Sequence, residues 1–239
     1  MEFKCVWCSA IFGERTAMCP SCGASYSTVP RYRRPVGERL MEAASRTMTA
    51  ADVCVRHWPI QTCPVTGLRW AKGALLLVYG EPGAGKSHLA LKMAGEWGGR
   101  VAVLALEMGI GRGLADLLHR CGLSRRTDVE VLAHADAEEL GAAARRGAHL
   151  VIDSVSVTVF TPTDLRALAD AGAASVLAVC QSNKTGGHMG AQGFAHEADI
   201  VVNVSAGNWK LEKSRFEALG ATGVVPCLSV AEEKNHVAV

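Results

Sequence analysis

The sequence predicts an α/β protein, a doubly wound, mainly parallel sheet with a small cysteine-rich unit at its N-terminus. Three observations predict it. Short apolar runs alternate with helical patterns from about residue 74 to residue 205, a glycine-rich turn joins one such run to a helix, and two C-x-x-C pairs lie within the first 22 residues. Strands covered on both faces read as unbroken apolar runs, whereas a helix lying on them carries one apolar stripe, so their alternation specifies a buried parallel sheet.

Residues 1–28 hold few periodic apolar positions and cannot build a core alone, so a metal would have to organise them. Cys5 and Cys8, and Cys19 and Cys22, are two pairs separated by ten residues. That spacing suits two knuckles giving four thiolates to one tetrahedral Zn²⁺. A closed Cys₄ set leaves no open coordination position, so the expected role is structural, with binding contributing on the order of 10 kcal/mol to folding. An iron–sulfur cluster also takes four cysteines, but paired knuckles on a short β-rich segment are the commoner zinc arrangement. Residues 29–53 read as a basic, proline-marked linker with a helix around residues 38–46. Residues 54–239 form the larger domain.

Within that domain the pattern predicts strands at residues 74–79, 100–106, 129–133, 148–153, 174–181 and 200–205. Helices are expected at 88–97, 114–121, 137–145 and 162–171, and antiparallel edge strands within 210–230. With 239 residues, 49% of them apolar and 20% charged, the chain can bury a core rich in Ala, Val and Leu. The formal net charge of +2 neither demands nor excludes nucleic acid, and any basic footprint must be local, as at Arg31, Arg33 and Arg34. No window reaches the ~18 to 20 continuous apolar residues of a membrane helix, and no signal-peptide core opens the chain. A cytoplasmic protein without a membrane partner is expected, in which nine cysteines are thiols or metal ligands rather than disulfides. Cys54, His57 and Cys63 form a weaker group read as packing, while Cys121, Cys180 and Cys227 read as buried thiols.

Gly80-Glu81-Pro82-Gly83-Ala84-Gly85-Lys86-Ser87 matches GxxxxGK[ST] and stands between an apolar strand and a helix opening at His88. The glycines let main-chain amides curl round a phosphate and the helix N-terminus adds a favourable dipole. Lys86 reaches the β- and γ-phosphates of ATP, and the Ser87 hydroxyl ligates Mg²⁺. Open parallel sheets bind ligands beyond their strand C-termini, so acids are expected there. Asp153 ends one strand and suits the magnesium; Glu107 ends another and suits orienting or deprotonating the attacking water. Gln181, ending a third, could sense the γ-phosphate.

After Gln181 comes a glycine-rich polar segment that includes Asn183, Lys184, Thr185, Gly186 and Gly187, able to contact a phosphodiester backbone without reading sequence. A mobile surface loop is the equal alternative. Lys213 and Arg215 lie two apart, on one face of a strand, where they are either a solvated edge or the cations that neutralise a neighbour's transition state.

Together these residues resemble the bacterial RadA/Sms family, RecA-superfamily ATPases close to the replicative DnaB helicases. The likeness runs from the Cys₄ ribbon through Gly80–Ser87, Leu106-Glu107-Met108 and Asp153 to Asn183-Lys184-Thr185-Gly186, His196 and Asp199. It closes on Lys213-Ser214-Arg215-Phe216, similar to the family's Lys-Asn-Arg-Phe-Gly. It implies a RecA-like core, a hexameric ring or filament with ATP between subunits, and single-stranded DNA on the loops near Lys184. Three departures stand out. The chain stops where the family continues into a Lon-protease-like domain, Glu217 replaces the Gly after Phe216, and His88 follows Ser87 where Thr is usual.

The expected function is a DNA-dependent ATPase in recombination, repair or replication, a helicase or translocase. The alternative is a KaiC-like regulatory ATPase or a loader whose ribbon grips a protein partner. A nuclease ranks last, for want of a separate metal-binding acid cluster.

Overall fold

A computed structural model describes residues 2–4, 11–12, 31–32, 50–55, 60–132, 137–158, 160–182 and 192–226. The cysteines expected to hold zinc, Cys5, Cys8, Cys19 and Cys22, the expected helix at 38–46, His57, the segment from Asn183 to Gly187 and Cys227 lie outside the described residues. Strands β1 (Glu2–Lys4), β2 (Ile11–Phe12) and β3 (Arg31–Tyr32) form an antiparallel sheet in the order β2-β1-β3. A short helix α1 (Ala50–Val55) and a hairpin of β4 (Ile60–Thr62) and β5 (Arg69–Ala71) follow.

The larger unit is built on eight strands. These are β6 (Ala74–Gly80), β7 (Val101–Ala105), β8 (Val129–Leu132), β9 (His149–Asp153), β10 (Ser175–Gln181), β11 (Ile200–Ser205), β12 (Asn208–Ser214) and β13 (Thr222–Val224). Their order is β13-β12-β11-β6-β10-β9-β7-β8. The six strands from β11 to β8 pair in parallel, while β12 and β13 add antiparallel at one edge. This is the α/β, mainly parallel architecture the alternating pattern predicts.

Side-chain alternation along β6 explains the two layers. Ala74, Leu76 and Val78 point to one face, Leu75, Leu77 and Tyr79 to the other, and all are buried. Helices α2 (Lys86–Glu96) and α3 (Arg112–Arg120) cover the first face with Leu89, Ala90, Met93, Leu114 and Leu117. Helices α4 (Ala137–Arg145) and α5 (Pro162–Asp170) cover the second with Leu140, Ala143, Leu165 and Leu168. A final short helix, α6 (Gln192–Glu197), leads into β11. Each buried leucine contributes about 2 kcal/mol, and Leu76→Ala, which leaves a cavity under α2, should cost roughly 2–5 kcal/mol.

β6, first in the chain among the eight, lies between β10 and β11 rather than at an edge. Its C-terminal tip, Gly80, therefore stands beside Gln181, with which it pairs, and within two strands of Asp153.

A candidate phosphate and water-activating site

The turn after β6 is shaped by its glycines. Gly83 and Gly85 sit at φ values of 76° and 101°, a region costly for any side chain. Gly80 runs so close to β11 that an added Cβ would stand 1.9 Å from the Val204 carbonyl oxygen. Gly85 is the N-cap of α2 and supplies no side-chain cap, and no acidic residue occupies the first turn. Among the described residues the amides of Gly83, Gly85, Lys86, Ser87 and His88 find no main-chain acceptor. The result is a cluster of unpaired N–H groups at the positive end of a helix, the environment an anion completes.

The Lys86 side chain, 7% exposed, curls back over the turn and donates from Nζ to the Glu81 carbonyl at 2.7 Å. Burial lowers its pKa, opposed by the negative charges of Glu107 and Asp153. Asp153, 6% exposed at the end of β9, has its pKa raised. Burial is the largest cause, the nearby Glu107 adds to it, and the hydrogen bond from the Ser87 hydroxyl and the charge of Lys86 oppose it. A buried carboxylate held above its usual range lacks positive charge. Ser87 and Asp153 thus present a hydroxyl and an under-compensated carboxylate side by side, as a magnesium ion among phosphates requires. Among the described residues no cluster of three or more His, Cys, Asp or Glu could hold a metal.

Glu107 stands in the turn after β7. Its amide and that of Leu106 donate to the Asp153 carbonyl at 3.2 and 2.8 Å, which ties the turn to the end of β9. Register explains what its side chain meets. Ala105, Asp153, Val179 and Val78 form one row across four strands. β9 ends in that row, whereas β10 continues two residues to Gln181 and the chain after β7 continues two residues to Glu107. Two strand spacings, roughly 10 Å, separate β10 from β7. Over the gap left by β9, Gln181 Nε2 donates a short hydrogen bond to Glu107 Oε1. The Gln181 side chain is therefore engaged with the water-activating candidate beside the phosphate loop.

Gly80 to Ser87, Asp153, Glu107 and Gln181 are thus brought together at one edge of the sheet. Lys213 and Arg215 are not. Ser214 pairs with Ile200, which pairs with Leu76, so this part of β12 lies toward the opposite edge, near the start of β6. Lys213 Nζ donates to the carbonyls of Ala195 and His196 at 2.9 and 2.7 Å, tying down the end of α6. Arg215, its side chain 57% exposed, pairs with Asp199 at 3.4 Å.

No protein-family model and no curated protein matches this chain. Its chemistry must be read from its own residues. The sequence pattern missed two parts of the arrangement. Arg166 on α5 grips Asp199 through both guanidinium nitrogens, at 2.9 and 3.0 Å, yet in sequence it is an ordinary helical arginine. Val225 packs on Gly85 from 140 residues further along the chain, a contact that no local pattern announces. Cys63, Cys121 and Cys180 are buried cysteines and Cys54 an exposed one, none of them in a disulfide. Among the described residues no helix is long and apolar enough to cross a membrane.

Proposed function

We propose that this chain hydrolyses ATP at the Gly80–Ser87 turn and does so as a DNA-dependent ATPase of RecA-like type. One observation carries the hydrolytic part. The uncapped amides of α2, the Ser87–Asp153 pair and Glu107 converge on the C-terminal edge of the sheet, the place where open α/β sheets bind their ligands.

On this reading each residue has a distinct task. The amides from Gly83 to His88 hold the phosphate chain, and Lys86 exchanges the Glu81 carbonyl for β- and γ-phosphate oxygens. Ser87 directly, and Asp153 through water, would hold Mg²⁺, which when bound neutralises the charge that develops between those phosphates. Glu107 accepts a proton from, or orients, the attacking water. While Gln181 donates to Glu107, that carboxylate has one fewer lone pair for water, so a γ-phosphate that drew Gln181 away would free it.

The resemblance to RadA/Sms proteins supports DNA as the activating partner and a homo-oligomer as the working form, with zinc in the ribbon. In such an assembly the reading gives Arg215, exposed on the edge away from its own phosphate loop, the task of serving a neighbour's. Turnover of ATP with and without single-stranded DNA tests the reading. Stimulation that weakens with rising salt is the expected result. Turnover indifferent to DNA would retain the ATPase and replace the DNA partner with a protein one.

A further inference from the structure

The edge of the sheet away from the phosphate turn carries a charge cluster that takes no part in the chemistry proposed above. β9, β7 and β8 lie side by side there, in that order, and arginines precede all three. Arg100 stands before β7, Arg125 and Arg126 before β8, and Arg145 and Arg146 before β9. The Val101 amide donates to the Asp128 carbonyl at 2.9 Å and the His149 amide to the Arg100 carbonyl at 2.8 Å, so the main chain of Arg100 runs between the other two segments. At about 5 Å per strand, these three segments make a band roughly 10 Å across.

Two of these arginines are engaged within the fold. Arg126 donates to the Gly95 and Gly99 carbonyls and pairs with Asp128 at 2.7 Å, and Arg146 pairs with Glu130 at 2.5 Å. Those pairs use both acids that the three segments offer. The hydrogen bond from Arg126 holds the Asp128 carboxyl below its usual range and the charge of Arg100 adds to the shift, so Arg100 stands within electrostatic reach of a carboxylate that is already matched. Arg100, Arg125 and Arg145 are exposed, and among the described residues no side-chain partner holds any of them. Unmatched like charges in so narrow a band repel one another until an anion comes between them.

The neighbouring side chains narrow the choice of partner. A hydrophobic docking surface needs exposed apolar groups, and Ile60, Met108, Ile110, Leu219 and Val224 all belong to other segments. A single strand held without sequence preference needs aromatic faces for its bases, whereas Trp97, the aromatic residue nearest to Arg100 in the chain, stacks on the buried His149. Guanidinium groups on a surface without a stacking face suit phosphate oxygens, which they meet with two parallel N–H donors. We infer that Arg100, Arg125 and Arg145 form a second nucleic-acid surface, one that takes the phosphodiester backbone of a duplex without reading its sequence. The inference rests on the proposed function only in taking that duplex to be DNA.

Fluorescence-anisotropy titration of a duplex DNA oligonucleotide with the full chain, at several salt concentrations, tests this. In a triple variant, Arg100→Ala with Arg125→Ala and Arg145→Ala, duplex affinity should fall about tenfold or more at about 0.1 M salt, and the slope of log affinity against log salt should flatten by roughly two to three. The corresponding triple lysine variant keeps the charge, so its slope should stay within about one of the parent's. A single-stranded oligonucleotide, assigned above to the loop near Lys184, should lose less than about twofold in the alanine variant. An unchanged duplex affinity and slope in the alanine variant, a lysine variant as flat as the alanine one, equal losses for duplex and single strand, or a parent chain that does not bind the duplex at low salt overturns the inference. So does poly-glutamate that displaces the duplex more strongly than unlabelled duplex of equal charge, which would make an acidic protein segment the partner. None of these outcomes bears on ATP hydrolysis measured without DNA, and a chain that fails to hydrolyse ATP can still bind the duplex.

Discussion

Asp153 and Asp199 are buried carboxylates at opposite edges of one sheet, and their surroundings differ in kind. Asp199 accepts two hydrogen bonds from Arg166 and one from the Leu75 amide at 2.9 Å, and it pairs with Arg215. Asp153 has the Ser87 hydroxyl, the charge of Lys86 and the repulsion of Glu107. Two helix starts show the same contrast. α5 opens with a capping box in which Thr161 and Asp164 satisfy each other's amides, whereas α2 opens on Gly85 with none. One edge is closed by its own side chains and serves stability. The other is left electrostatically incomplete, and on the function proposed above a magnesium-bound polyphosphate supplies the missing partners.

The largest effect expected at the open edge is that of Lys86→Ala. Removing the buried cation of the Gly80–Ser87 turn should lower kcat/KM for ATP by at least about 10³-fold, read in a steady-state phosphate-release assay. Glu107→Gln comes next, with turnover reduced by about 10²- to 10⁴-fold while ATP still binds. At the closed edge Asp199→Asn should cost about 3 kcal/mol in urea unfolding, because it leaves the half-buried Arg166 guanidinium underpaired. Asp153→Asn should shift the same unfolding curve by less than about 1 kcal/mol. The sign follows from linkage. A carboxyl whose folded pKa is raised adds stability at acid pH and loses it as pH rises through that folded value, so Asp153 brings none at neutral pH. Similar destabilisation by Asp153→Asn and Asp199→Asn would erase the distinction between the edges.

His149, at the start of β9 on the closed edge, sharpens the comparison further. It stacks on Trp97 at 5.2 Å between ring centroids and shares a hydrogen bond with Ser175 at 2.7 Å. Burial, helped by the charge of Arg126, pushes its pKa from 6.5 down to about 4. Between those two values the unfolded chain binds a proton that the folded chain refuses. Stability should therefore be full above about pH 6.5 and fall by about 3 kcal/mol on the way to pH 4, then level off for this group. Urea unfolding at both pH values, for the parent and for His149→Gln, measures that share of the loss.

Most of the framework was legible in the sequence because each strand is a short apolar run buried on both faces. Ala137–Arg145 and Ile200–Ser205 form where the periodicity places them, and β6 extends one residue beyond its expected end, to Gly80. The candidate site was legible where chemistry is local. Gly80 to Ser87 is contiguous, and Asp153 and Glu107 end apolar runs. Strand order was not legible, since it depends on which crossovers bury the most surface, and with it went the meeting of Gln181 with Glu107 over the end of β9. For the same reason the sequence could pair Lys213 with Arg215 on one strand but could not show Lys213 tied to the carbonyls of α6.

The most direct test of the open edge is single-turnover ATP hydrolysis by the parent chain and by Glu107→Gln, each saturated with Mg²⁺ and ATP. The account predicts that both bind ATP comparably and that the variant cleaves it at least about a hundredfold more slowly. Equal cleavage rates, or ATP bound with undiminished affinity after Lys86→Ala in the same assay, would contradict it.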